Sequence, residues 1–61
     1  MKERILDAIG VYNCHLIESI MGHCCNDYKD TCIFVRTLSE LLQDGIVYYD
    51  KAEREYEVIN H

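Results

Sequence analysis

Proline and tryptophan are absent from this chain, glycine occurs three times and phenylalanine once. Without proline, and without Gly-rich or Ser-rich tracts, there is no basis for a linker, a polyproline segment or a low-complexity tail. No run of 18 apolar residues is present, so the sequence offers no candidate membrane-spanning helix. The opening MKERILDAIG carries acids inside its apolar repeat, unlike the unbroken apolar core of a secretion signal. A cytoplasmic protein with no membrane partner is therefore expected. Cations are also scarce: six Lys and Arg stand against eleven Asp and Glu, a formal charge of −5. Affinity for nucleic acid comes largely from neutralising phosphates, so a DNA reader built from this chain must concentrate its few cations on one face.

What is present argues for order. Hydrophobic residues make up 49% of the chain and charged residues 28%, a balance that supports a packed core rather than a disordered chain. Residues 1–61 have room for one domain. A domain of this size buries only about 60% of the surface its unfolded chain exposes, so its stability is marginal and a homodimer is expected.

The four cysteines, Cys14, Cys24, Cys25 and Cys32, are read as free thiols in a reducing compartment. With His15 and His23 they raise the question of zinc. No Cys-x-x-Cys or His-x-x-x-His pair is present, however, and ligands at opposite ends of one helix, about 15 Å apart, cannot close on a single ion. No metal and no other cofactor is expected. Nor is catalysis, because Cys14-His15 and His23-Cys24 are adjacent residues whose side chains diverge on a helix, and no Gly-rich phosphate loop occurs.

Periodicity supplies the elements. Ile5, Leu6, Ile9 and Tyr12 form one stripe of a first helix over Lys2 to Tyr12. Asn13 is the expected N-cap of a second, whose apolar face holds Leu16, Ile17, Ile20, Met21 and Cys24. The polar stretch from Cys25 to Asp30 is a turn, with Asp27 or Asp30 capping a third helix over Thr31 to Asp44. That helix carries Ile33, Phe34, Val35, Leu38, Leu41 and Leu42, more apolar surface than one buried stripe needs. After Gly45 the period changes from helical to alternating. Strands Ile46 to Tyr49 and Glu55 to Ile59 then flank a loop over Asp50 to Arg54, with Tyr48 on the face away from Tyr49, Tyr56 and Val58.

The segment FVRTLSELLQDGIVYYDKAEREYEVI resembles the closing half of small winged helix-turn-helix transcription regulators, in which an Arg-bearing recognition helix ends in Leu-x-x-Leu-x-x-Asp-Gly before the wing. Here Leu38, Leu41, Asp44 and Gly45 carry that pattern. The resemblance implies an α+β, mostly helical fold of three helices followed by a two-stranded wing, and a dimeric DNA-binding regulator. It puts Thr31, Ile33, Val35, Arg36 and Ser39 on the exposed face of the recognition helix. Thr31, Arg36 and Ser39 are then the candidate DNA contacts there, with Lys51 and Arg54 at the wing tip. Ile33 and Val35 project apolar groups where DNA readers usually project polar ones. With Tyr48 they define an alternative, a protein-protein interaction module such as an acidic inhibitor or adaptor encoded on a mobile element, which does not bind DNA.

Overall fold

A computed structural model describes residues 1–59. Three helices, α1 (Lys2–Gly10), α2 (Ile17–Cys24) and α3 (Tyr28–Gln43), precede two antiparallel strands, β1 (Val47–Asp50) and β2 (Glu55–Val58). The fold is α+β and mostly helical. Its core is drawn from every part of the chain except β2: Ile5, Ala8 and Ile9 from α1, Ile20 and Cys24 from α2, Phe34, Leu38 and Leu41 from α3, and Val47 from β1. Tyr56 and Val58 of β2 pack against its edge, half-buried. No helix is long and apolar enough to cross a membrane among the described residues.

The first connection departs from expectation. The α1 helix stops at Gly10, where the Val11 and Tyr12 amides both turn back to the Asp7 carbonyl, and Tyr12 stands exposed rather than on the buried stripe. Its ring stacks on His23, with centroids 4.6 Å apart. Asn13 is not the cap of α2. It sits at φ 58°, in the left-handed region that Asn tolerates better than most residues, and so redirects the chain. His15 then meets β2, where the Tyr56 amide donates to the His15 carbonyl at 2.7 Å and His15 Nδ1 lies 3.1 Å from the Tyr56 carbonyl. The cap of α2 is consequently Leu16, in an extended conformation with no side-chain acceptor for the helix amides. Compared with Ser or Asn at that position, this choice costs about 1 kcal/mol. Leu16 and Ile17, expected on the buried face, are exposed.

The α3 helix begins at Tyr28, three residues before the expected start at Thr31, because Asp27 caps it. Asp27 Oδ1 accepts from the Asp30 amide at 2.9 Å, and Asp30 Oδ2 accepts in return from the Asn26 amide at 3.1 Å. This is a reciprocal arrangement close to a capping box. Arg4 of α1 reaches the same junction, its Nη1 lying 3.4 Å from the Cys24 carbonyl and 4.0 Å from Asp30 Oδ2. Asp27→Ala removes the acceptor and should lower stability by about 1 kcal/mol. Urea unfolding checks it, and an unchanged midpoint would show the cap to be redundant.

At its other end α3 closes on Gly45 at φ 75°. The Gly45 amide donates to the Leu42 carbonyl at 3.2 Å and the Ile46 amide to Leu41 at 3.0 Å, the paired bonds of a Schellman motif. The hairpin register pairs Val47 with Val58, Tyr48 with Glu57, Tyr49 with Tyr56 and Asp50 with Glu55. Tyr48 and Tyr49 therefore face opposite ways, as alternation requires. The Tyr49 and Tyr56 rings pair at 4.8 Å. In the loop, Asp50 Oδ1 accepts from the Ala52 and Glu53 amides at 3.0 and 3.3 Å, and Arg54 returns the chain at φ 58°. A four-residue loop built this way needs no Asn-Gly pair, which is why the usual hairpin signal is missing from the sequence.

Candidate functional site

The outward strip of α3 follows from its buried one. Phe34, Leu38 and Leu41 point into the core, and the residues about 180° round the helix are Lys29, Cys32, Arg36, Ser39 and Gln43, all exposed. Lys29 and Arg36, seven positions apart, differ by only about 20° in direction. Of the two acids of α3, Glu40 lies at the edge of this strip, about as far from its centre as Ser39, and Asp30 is turned toward Arg4. Among the described residues the ion pairs are Arg4 with Asp30 and His15 with Glu57, so neither Arg36 nor Lys29 is neutralised by a neighbour. Glu40 stands one turn on from Arg36, at i+4, without forming an ion pair with it.

Lys29 was missed from sequence because the helix was expected to start at Thr31, leaving Lys29 in a turn. The seven-residue spacing to Arg36, once Asp27 is taken as the cap, is the signal that finds it. Thr31 itself lies elsewhere. It is half-buried, its hydroxyl donates to the Asp27 carbonyl at 3.2 Å, and it lines a cleft toward α2 with Met21 and Cys25. The strip thus brings together Arg36 and Ser39 of the expected residues, adds Lys29, and loses Thr31.

The wing-tip cations are not part of it. Lys51 is exposed in the hairpin loop, and Arg54 lines a groove beside the start of α2 with Leu16, Ile17, Glu18, Tyr49 and Tyr56. Ile33 and Val35 are both exposed, at 50% and 54%. They are two positions apart, about 200° of rotation, and so occupy opposite flanks of α3. Ile33 lies toward Met1 and Lys2. Tyr48 is exposed on the outer face of the hairpin, and Tyr49, expected to be covered, is nearly as open.

The cysteines divide by burial. Cys24 is buried in the core, and its burial, with Cys25 beside it, pushes its thiol above the ordinary range, so it packs as a small hydrophobe with little thiolate character. Cys14 and Cys25 are half-buried and Cys32 is exposed. Among the described residues no three side chains of His, Cys, Asp and Glu converge as a metal site would require.

Comparison with family models, with curated proteins and with solved structures finds no match to this chain. Function is therefore argued from the chemistry of the surface itself, because a fold of helices and a hairpin hosts many functions.

Proposed function

We propose that this protein is a small winged-helix DNA-binding regulator that meets duplex DNA with the outward strip of α3. The observation that carries this reading is the segregation of charge. In a chain of net charge −5, the exposed strip of the longest helix holds Lys29 and Arg36, Cys32 and the polar Ser39 and Gln43, with Glu40 at its edge as the one carboxylate. A helix entering a major groove needs such a strip, with cations for phosphate or guanine and short polar groups for backbone or base edges. The order of three helices and a hairpin, with the hairpin tied to the helical part through His15 and Tyr56, is consistent with a winged helix.

A protein-binding role centred on Ile33, Val35 and Tyr48 has less support. Two of those residues point away from each other across α3, and a single partner surface reaches both only by wrapping the helix.

Fluorescence anisotropy with random duplex DNA at low salt tests the proposal. Binding is expected, weakening as salt rises. Lys29→Ala and Arg36→Ala should each reduce the slope of log affinity against log salt by about one. On a selected binding sequence, Arg36→Ala should cost about tenfold in affinity if the guanidinium reads a base. Ile33→Ser should leave both quantities unchanged. No binding at low salt, or equal losses from Ile33→Ser and Arg36→Ala, would overturn the assignment.

A further inference from the structure

Val35 lies outside the core, half exposed, about 100° round α3 from Arg36. Cys32 and Ser39, at i−3 and i+4 from it, point between the two, and both are short and exposed. The face of α3 that meets DNA in the reading above thus has a low middle, a cationic flank of Lys29 and Arg36, and an apolar flank at Val35 on the side away from Glu40. A low middle lets the helix approach a groove floor closely, which a short side chain needs if it is to touch a base edge. Val35 is also stiff, because a β-branched residue in a helix holds essentially one χ1 rotamer and loses little freedom on contact. Its neighbours on the same line differ in kind. Tyr28, seven positions earlier and 82% exposed, carries a hydroxyl suited to a phosphate oxygen at the groove's edge, and Leu42, seven positions later, sits in the last turn, beyond the N-terminal half that contacts base edges.

The chemistry of the major groove indicates what an apolar group at this place meets. Base edges there present hydrogen-bond donors and acceptors and a single apolar group, the C5-methyl of thymine. Val35 offers neither donor nor acceptor. Against any other base edge it displaces water from polar atoms and leaves them unpaired, which costs affinity, whereas against thymine it buries methyl on methyl. Arg36, on a longer stem, reaches guanine O6 and N7 from the adjoining flank. Resting on the DNA-binding reading, we infer that Val35 is a specificity-determining residue of the α3 face, selecting a thymine whose methyl lies beside the position that Arg36 contacts. Lys29 then serves the phosphates, which fix register and carry no sequence information.

The test uses a duplex selected by the full chain from a random library, with each thymine replaced in turn by deoxyuridine, which removes the methyl and nothing else. Affinity is read by anisotropy for the parent, Val35→Ala and Arg36→Ala, and circular dichroism confirms that each variant keeps its helix content. One deoxyuridine position should weaken the parent by about fourfold, the worth of one buried methyl group. Val35→Ala should lose a similar factor on the thymine duplex and show no further loss on the deoxyuridine one, while Arg36→Ala, though weaker, should keep its sensitivity to the methyl. On random duplex Val35→Ala should leave affinity and salt slope unchanged. No binding to any duplex at low salt overturns the DNA-binding reading and this inference with it. Retained DNA binding with no methyl-sensitive position, or with the same methyl effect in Val35→Ala as in the parent, overturns this inference alone. So does a change of oligomeric state in Val35→Ala by sedimentation with the methyl effect intact, which would assign the residue to a contact between copies of the chain.

Discussion

Phe34→Ala is expected to leave the chain largely unfolded at room temperature. Phe34 is the only phenylalanine, it is 1% exposed, and it lies in the middle of the cluster that joins all three helices to β1. Truncating a buried phenylalanine costs about 3 to 5 kcal/mol, the lost transfer free energy plus the cavity left behind. A domain of this length has a total stability on the order of 3 to 9 kcal/mol. The loss is thus comparable to the whole when stability lies in the lower half of that range. Thermal unfolding followed by circular dichroism decides it, and Phe34→Leu, which keeps most of the volume, should cost less than about 1.5 kcal/mol. A cooperative melt of Phe34→Ala within a few degrees of the parent would mean that the core does not depend on this ring, contrary to its burial.

The second large effect is expected at Gly45. A side chain added there meets no atom within 4 Å, so the cost of substitution is conformational rather than steric. Holding φ at 75° is easy for glycine, costs most residues about 1 to 2 kcal/mol, and costs a β-branched residue more. Gly45→Val should therefore destabilise by roughly 2 kcal/mol or more, Gly45→Ala by about half as much, and Gly45→Asn least of the three. That ranking separates backbone strain from contact. Equal losses for valine and asparagine would show that the Schellman closure is not what Gly45 provides. The site matters beyond local stability because this closure sets the direction in which the chain leaves α3, and with it the position of the hairpin.

The sequence is legible where local chemistry and periodicity agree. Gly45 as a left-handed closure, the core positions Phe34, Leu38 and Leu41, and the alternating faces of the hairpin are all readable because each depends on neighbours a few positions away. Legibility fails between Gly10 and Ile17. Asn13 has the chemistry of a helix cap and of a left-handed turn alike, and nothing nearby distinguishes them. The chain takes the turn, and His15 then meets β2 some forty positions later, its carbonyl accepting from the Tyr56 amide. The start of α3 is ambiguous in the sequence for a related reason, since Asp27 and Asp30 are both good caps; in the structure Asp27 accepts from the Asp30 amide and Asp30 from the Asn26 amide. Choosing Asp27 lengthens the helix, brings Lys29 into line with Arg36 and turns Thr31 inward.

The sequence by itself determined the element types, their order, the buried stripe of α3 and the excess of apolar residues over what that core needs. These follow from side-chain periodicity and from the few residue types that tolerate caps and positive φ. Only the tertiary structure decided what the excess does on the surface. It separates Ile33 from Val35 on opposite flanks of α3, and it leaves Leu16 and Ile17 outside the core, in one groove with Tyr49, Arg54 and Tyr56. Grouping of this kind depends on contacts between residues far apart in the chain, where periodicity carries no information.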